Sequence, residues 1–398
     1  MNKYRMNPEL SHFAARLLQL IANGQSAIGN RQFSELALEL FALQFKHNSA
    51  YRKICTARQL TPETIEHWLQ IPAVPTAAFK ELELTSLAPE ERTVVFHSSG
   101  TTAQNPSRHF HSAESLAVYE SSLWPWFEQK VCGAPGTGRE AQGLLVLTPP
   151  PAQVPHSSLA HMFETVRQKF SAPPTAFVGQ LTTDGSWTLD FNAALAALSP
   201  RAPRPTPHAL ILLGTAFSFV HLVDYLAEQN LRIELPPGSR VMETGGYKNR
   251  SRVLPKAELH ALITDRLGVP GENIICEYGM SELSSQAYET EARGAGREAL
   301  GGTPRPAPDA ARLFHFTPWA RVQIISPETG REVAEGETGI IRIVDLANVF
   351  SVMAIQTEDL GIRRGDGFEL IGRAQLAEPR GCSLMAHSEF RIAHSSLA

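Results

Sequence analysis

Apolar residues recur every three or four positions in the first part of the chain, for example at Phe13, Leu17 and Leu20. This spacing places one side chain per turn on the same face of a helix. It predicts two amphipathic helices between Glu9 and Lys46, separated near Gly24. Residues 9–46 are therefore expected to form two helices that each bury one face.

A third helix is predicted to begin at Thr61, which can cap a helix, with Pro62 in the first helical position. It should end before Ile71 and Pro72. Beyond that point, short aliphatic or β-branched runs alternate with segments of helical length. The runs 93–96, 143–147, 208–213 and 241–242 are predicted strands. Two later runs, 322–325 and 339–344, are predicted to form an antiparallel hairpin. Such alternation predicts an α/β fold with buried sheets flanked by helices.

Composition narrows the class of protein. The 398 residues carry a net charge of −4 and only 19% charged side chains, which argues against a nucleic-acid partner. Four widely spaced cysteines fit neither a disulfide framework nor a paired zinc motif. The N-terminal residues lack a signal-peptide pattern, and the longest apolar run, 209–220, is too short to span a bilayer. A cytoplasmic protein without a membrane span is expected.

A loop rich in small hydroxyl residues follows the first predicted strand: Ser98, Ser99, Gly100, Thr101 and Thr102. Glycine allows backbone N–H groups to turn toward one point, and the hydroxyls add further donors, so the loop can surround a phosphate. It is not a Walker loop, because the Gly-Lys-Ser/Thr ending is missing. Taken alone, it fits an ordinary turn after a strand equally well.

Further motifs appear in a fixed order along the chain. After 98–102 come Glu243-Thr-Gly-Gly-Tyr247, Glu277-Tyr-Gly-Met-Ser-Glu282, Thr357-Glu-Asp-Leu-Gly361 and Gly372-Arg373. In this order and combination the chain resembles the adenylate-forming ligases. That superfamily includes acyl-CoA synthetases, peptide-synthetase adenylation domains and the acyl-protein synthetases of bacterial luminescence operons. The resemblance implies the fold of their large N-terminal domain and ATP and Mg²⁺ as cofactors.

The resemblance also implies roles for individual polar residues. An acid carboxylate must attack the α-phosphate of ATP, so negative charge has to be neutralised at that point. Glu282 would bind the metal, and Ser281 would donate to a phosphate or to the acyl-adenylate. Asp359 would accept hydrogen bonds from the ribose hydroxyls, and Arg373 would supply a fixed positive charge.

The adenine is expected to lie against Tyr278, with Thr244, Gly245 and Gly246 forming a second contact. Gly279 would allow the backbone to approach the nucleotide. The main site residues also have ordinary structural explanations, such as a core aromatic for Tyr278 or a turn former before Gly361 for Asp359. Only their combination favours one site.

Two departures from the superfamily pattern concern the phosphate loop. Ala103 stands where a glycine usually continues the loop, and Arg108 stands near the position of a common lysine. The contacts to the leaving phosphates are therefore expected to differ from those in the superfamily. His109 and His111 follow closely, and both are expected to be surface residues rather than part of the site.

The larger departure is that only 25 residues follow Arg373. Residues 1–373 are expected to form the adenylate-forming domain, and 374–398 a short tail in place of the usual C-terminal domain. The acyl-protein synthetases of luminescence operons share this architecture. The resemblance implies that Cys382, near Arg380 and His387, takes the acyl group as a thioester. The alternative is a small buried hydrophobe.

The sequence thus predicts an ATP-dependent ligase that activates a carboxylic acid, with a fatty acid favoured. The acyl group would pass from the adenylate to Cys382 and onward to a partner protein, a reductase or carrier. One alternative resembles phenylacetate-CoA ligase and transfers the acyl group to CoA, an amine or a carrier protein. A second alternative is a non-catalytic protein that keeps the fold and binds a nucleotide.

Overall fold

The computed structural model describes residues 7–23, 28–98, 106–133, 143–170, 172–198, 209–246, 251–291 and 312–374. Nine helices lie in these residues: α1 Pro8–Ala22, α2 Asn30–His47, α3 Ser49–Ala57, α4 Ala78–Glu81, α5 Ala113–Phe127, α6 Ser158–Arg167, α7 Phe191–Leu198, α8 Ala216–Glu228 and α9 Lys256–Leu267. The first eight strands are β1 Val74–Pro75, β2 Val94–His97, β3 Arg108–His111, β4 Gly143–Val146, β5 Ala172–Phe177, β6 Gly179–Leu181, β7 Trp187–Leu189 and β8 Leu210–Thr215. The others are β9 Arg240–Thr244, β10 Ile274–Tyr278, β11 Ala287–Glu291, β12 Arg312–His315, β13 Ala320–Ile325, β14 Thr338–Asp345, β15 Ala354–Arg364 and β16 Gly367–Arg373.

The two helices predicted near the start of the chain are confirmed as α1 and α2. Helix α1 buries Leu10, Phe13, Leu17 and Ile21, which lie three or four residues apart, as the pattern requires. Burial of each such side chain stabilises the fold by roughly 1.5 to 3 kcal/mol. The predicted break at Gly24 lies outside the described residues.

The predicted third helix is wrong. Residues 61–64 form a turn in which the Thr64 hydroxyl oxygen accepts a hydrogen bond from Thr61 N–H at 2.9 Å. This local bond competes with helix formation. The helical turn that follows covers only Trp68–Gln70. The true third helix is α3, and the Asn48 side chain caps it by accepting from Tyr51 N–H at 3.0 Å.

A large mixed sheet organises the rest of the described chain. Its strands follow the order β13-β14-β15-β16-β12-β11-β10-β9-β8-β4-β5, with β1 added beside β15. Strands β10, β9, β8, β4 and β5 are parallel, and both faces of this half are covered by helices. All six residues of β8 are buried, which is typical of a parallel strand between two helical layers. The predicted α/β fold is confirmed.

The other half of the sheet is antiparallel and packs against the N-terminal helices in a separate part of the core. It contains the predicted hairpin, in which β13 pairs with β14 and the turn at 327–330 lies between the two strands. Strand β10 lies at the boundary, parallel to β9 and antiparallel to β11. The carboxyl ends of β9 and β10 therefore open at the same edge, where ligands commonly bind in α/β folds. The described helices include none long and apolar enough to cross a membrane.

Candidate active site

The loop after β10 brings two predicted site residues against the β2–β3 hairpin. The Ser281 hydroxyl donates to the carbonyl oxygen of His97 at 2.9 Å. The carbonyl oxygen of Ser281 lies 2.7 Å from His109 Nδ1. Because both contacts join the loop to residues beside the predicted phosphate loop, they hold its start at the end of β2.

Glu282 is the buried carboxylate of this loop, with 4% of the residue exposed. Its Oε1 atom accepts a hydrogen bond from the Ser107 hydroxyl at 2.5 Å. Burial raises the pKa of Glu282, while the Ser107 bond and the positive charges of Lys80 and Arg373 act in the opposite direction. A cation at this carboxylate would be favoured, because it would stabilise the ionised form that burial disfavours.

The phosphate loop is described only at its first residue. The Ser98 hydroxyl accepts from Ser107 N–H at 3.0 Å, so Ser98 connects to Glu282 through Ser107. Ser99, Gly100, Thr101 and Thr102 lie outside the described residues, and their role as phosphate ligands stays a prediction.

Asp345 and Asn348 anchor the far end of the same loop, and sequence reasoning missed both. The Asp345 carboxylate accepts from Ser284 N–H at 3.0 Å and from the Ser285 hydroxyl at 2.7 Å. The Asn348 amide donates to the carbonyl oxygen of Glu282 at 2.8 Å. Burial raises the pKa of Asp345 to about 6. These long-range contacts fix the backbone that presents Glu282.

Asp359 and Arg373, from the last two motifs, lie next to Tyr278 at the end of β10. The tyrosine hydroxyl donates to Asp359 Oδ2 at 2.9 Å, and Arg373 Nε lies 3.7 Å from Asp359 Oδ1. Asp359 on β15 and Arg373 on β16 are register partners, which explains their proximity. The Arg373 side chain is 80% exposed and so projects into solvent beside the site. Gly372 has φ +138°, a conformation that glycine adopts without strain.

The predicted adenine-contacting segment lies at the end of β9. Thr244 hydrogen-bonds through its hydroxyl to the buried Glu277 carboxylate, and the two residues are register partners on β9 and β10. Gly245 follows with φ +70°, which turns the chain away from the sheet. A Cβ atom at Gly279 would clash with Glu277 Oε1, so any other residue there would have to displace this buried carboxylate. Tyr278 is 7% exposed, and its ring packs edge-on against Phe314, Phe316 and Phe368.

The buried carboxyl of Glu277 leads to a testable prediction about how the stability of the fold depends on pH. Burial raises its pKa to about 7, with a smaller contribution from the Glu243 charge. A carboxyl whose pKa is higher in the folded state stabilises the fold at low pH, and this contribution is lost as the pH rises through about 7. We expect Glu277→Gln to remove that loss, so that its free energy of unfolding, relative to wild type, improves by about 3 kcal/mol between pH 4.5 and 8. Denaturant unfolding of both proteins at both pH values measures the difference. An unchanged difference would show that folding does not raise the pKa of Glu277.

His109 and His111 are buried, so the expectation that they are surface residues is wrong. They alternate along β3, and the hairpin with β2 turns both toward the core, next to Phe79 and Phe96 respectively. Burial lowers the pKa of His109 to about 4, which keeps the ring neutral. The alternation in Arg108-His-Phe-His111 was the signal available in the sequence. Arg108 points the other way, 3.6 Å from the Glu83 carboxylate.

The donor set fits the two groups that the motifs imply. A buried carboxylate with a neighbouring hydroxyl, as at Glu282, offers the hard oxygen ligands that Mg²⁺ prefers together with substrate phosphates. Asp359 presents a carboxylate next to an exposed guanidinium, as a ribose and phosphate contact would need. The residues present are therefore compatible with Mg²⁺ and ATP.

Comparison with solved structures identifies the fold. The chain matches a 2-hydroxyisobutyryl-CoA ligase, solved in an open conformation with 2-HIB-AMP and CoA, at a TM-score of 0.59 and 13% identity. The match covers 87% of this chain and 71% of that one. The chain thus shares the fold of this ligase, as the resemblance of its ordered motifs implied.

Sequence comparison finds two curated relatives that carry the same name. The chain is 24% identical over 371 residues to the long-chain-fatty-acid–luciferin-component ligase of Aliivibrio fischeri, covering 88% of this chain and 86% of the relative. It is 22% identical over 372 residues to the ligase of the same name from Vibrio harveyi, covering 90% and 88%. No protein-family model matches the chain. The resemblance to acyl-protein synthetases of luminescence operons is confirmed.

Proposed function

We propose that this protein uses ATP to activate a carboxylic acid as an acyl-adenylate. The supporting observation is the convergence of motifs that lie far apart in sequence. Ser98, Ser107 and Glu282 form one hydrogen-bonded series. Where β10 enters the same loop, Tyr278 donates to Asp359, which is ion-paired with Arg373. A polar cluster of this length, at the carboxyl edge of parallel strands, matches a nucleotide better than a smaller ligand.

In the proposed reaction, an oxygen of the acid carboxylate forms a bond to the α-phosphorus of ATP, and the bond to pyrophosphate breaks. Asp359 holds the ribose hydroxyls, and Arg373 places its positive charge beside the phosphates. Ser281, fixed by His97 and His109, keeps the loop backbone close to the reacting phosphate. A magnesium ion bound by Glu282 would supply neutralising charge to the phosphates.

A long-chain fatty acid is the proposed substrate, because both curated relatives are named for such an acid and align over nearly their whole length. The thiolate of Cys382, in the tail 374–398, then attacks the acyl carbon and AMP leaves. A partner protein receives the acyl group in the next transfer. Cys382 lies outside the described residues, so this step rests on the resemblance and on thiol chemistry. The proposed compartment is the cytoplasm, which supplies ATP and keeps thiols reduced.

Transfer to CoA remains the alternative, and it has its own support. The solved structure that shares the fold is named as a CoA ligase and contains CoA. Adding CoA, a carrier protein or a simple amine to the adenylate-forming reaction separates the two. Acyl-CoA formation by a Cys382→Ala variant at the wild-type rate would favour the alternative.

Acid-dependent exchange of labelled pyrophosphate into ATP tests the activation step itself. We expect exchange with Mg²⁺ and a panel of saturated fatty acids, with a rate that depends on chain length. An aromatic acid series serves as the comparison. Exchange with none of the acids, from a protein that unfolds cooperatively, would instead support a non-catalytic nucleotide-binding protein.

Asp359→Asn is expected to weaken ATP binding specifically. The amide keeps the size of the side chain but loses the charge that strengthens hydrogen bonds to the ribose, a change of about 1.5 to 3 kcal/mol. The KM for ATP in the exchange assay should rise about 10- to 100-fold, while the KM for the acid stays close to wild type. Tyr278→Phe is the matched control, because it removes only the hydroxyl that donates to Asp359. An equal rise in both KM values would contradict a ribose contact.

A further inference from the structure

A second polar cluster lies on the face of the sheet opposite to Thr244 and Glu277. Glu243 and Cys276 are register partners on β9 and β10. The antiparallel register that pairs Glu277 with Tyr288 places Glu289 of β11 beside Cys276. Each of these three residues exposes 6% or less. Three neighbouring strands therefore align a carboxylate, a thiol and a second carboxylate in one buried row.

Helix α9 covers this row with two side chains one turn apart. His260 Nε2 lies 3.4 Å from Glu243 Oε1 and 3.7 Å from Cys276 Sγ. Lys256 is ion-paired with Glu289, whose Oε2 atom accepts no hydrogen bond from any described residue, although Arg312 Nε lies 3.5 Å away. The site used for the proposed reaction does not involve this cluster.

The three donor atoms have the spacing of a metal site. Zinc binds sulfur at about 2.3 Å and nitrogen or oxygen at about 2.0 to 2.2 Å, so its tetrahedral ligands lie about 3.3 to 3.6 Å apart. The two separations that involve His260 are close to this range. The third, from Cys276 Sγ to Glu243 Oε1, is 2.8 Å because the thiol donates a hydrogen bond to the carboxylate. Loss of that proton removes the bond and lets the two atoms separate.

Charge in the surroundings favours one divalent cation. Glu243 and Glu289 are buried acids, and the nearby cations Lys256 and Arg312 both lie against Glu289. Glu243 is left facing the neutral thiol and the imidazole of His260, at 2.8 and 3.4 Å. The charge of Lys256 also acts on Cys276 and Glu243, but among the described residues no lysine or arginine forms an ion pair with Glu243. A cation at this end of the row would therefore balance a carboxylate that has only His260 as a direct partner of positive charge.

We propose that Glu243, His260 and Cys276 bind one zinc ion, with water as the fourth ligand. Thiolate, imidazole and carboxylate are the ligands that zinc takes from proteins. On binding, the Cys276 S–H bond breaks, a bond from sulfur to zinc forms, and the proton passes to solvent. Such an ion would link β9, β10 and α9 directly behind Thr244 and Glu277. It would stabilise the wall of the nucleotide site without taking part in the reaction.

Titration with Co²⁺ tests the site independently of catalysis. The full chain, treated with a chelator and dialysed, should bind one equivalent of Co²⁺ with a thiolate-to-cobalt absorption band, and one equivalent of Zn²⁺ should abolish the band. Cys276→Ser should lose the band. His260→Gln should weaken Co²⁺ binding more than the change of about 10- to 100-fold that is typical when a residue next to a metal ligand is replaced.

Cys382→Ser and Cys132→Ser are the matched controls, and both should keep the band. Wild-type protein that gives no thiolate band at saturating Co²⁺ would overturn the proposal, whatever the variants do. A band that persists in Cys276→Ser but disappears in Cys382→Ser would also overturn it, because the metal would then bind to the tail. Thermal unfolding of each chelated variant checks that it is folded.

Discussion

Glu282→Gln is expected to lower the rate of acid-dependent pyrophosphate exchange by about 100-fold or more, because it removes the charged group at the metal position. Folding should not suffer. Burial raises the pKa of Glu282, so a neutral amide is less costly there than the ionised carboxylate. The amide oxygen can still accept the hydrogen bond from Ser107, which normally reaches Oε1 at 2.5 Å.

The measurement is the exchange rate as a function of Mg²⁺ concentration, alongside the melting temperature. Glu328→Gln makes the same charge change at an exposed position in the β13–β14 turn and should leave both unchanged. A Glu282→Gln enzyme within twofold of the wild-type rate, with the same Mg²⁺ dependence, would show that this carboxylate does not hold the metal.

Cys382→Ala is expected to abolish covalent labelling of the protein by a radiolabelled fatty acid in the presence of ATP. The thiolate is the proposed acceptor, and alanine offers no nucleophile. Pyrophosphate exchange should continue at the wild-type rate, because formation of the adenylate precedes transfer to the thiol. Denaturing gel electrophoresis followed by treatment with neutral hydroxylamine, which cleaves thioesters, reads out the label.

Cys55→Ser is the matched control for labelling, since Cys55 is buried in the N-terminal helical core and burial raises its pKa to about 11. Its thiol is therefore neither accessible nor ionised at neutral pH. Label that remains on Cys382→Ala would place the acyl group on another residue. Wild-type protein that exchanges pyrophosphate but carries no label would instead favour direct transfer to CoA or a carrier.

The local part of the fold followed from the sequence where the pattern was long and regular. The five buried residues of α1 and the fully buried strand β8 are examples, because in each the apolar pattern matches the side chains that face the core. The prediction failed at Thr61, where a single side-chain hydrogen bond favours a turn. It also failed at His109 and His111, whose burial depends on what packs over a short hairpin rather than on the hairpin itself.

For the candidate site, the sequence alone identified the motifs and their order, because in combination they resemble those of the adenylate-forming ligases. Tyr278, Glu282, Asp359 and Arg373 were all named in that way. Their proximity was decided by the sheet, which pairs β15 with β16 and brings Asp359 to Tyr278 across 81 positions.

Only the tertiary structure placed Ser107, Asp345 and Asn348 around the loop of Glu282, and Glu243, His260 and Cys276 on the reverse face. Apart from Glu243, these residues belong to none of the motifs. Their contacts join segments far apart in sequence, and a residue pattern records local spacing but not which distant segment will pack against it. The sequence therefore determined the class of chemistry, while packing decided how the site is held.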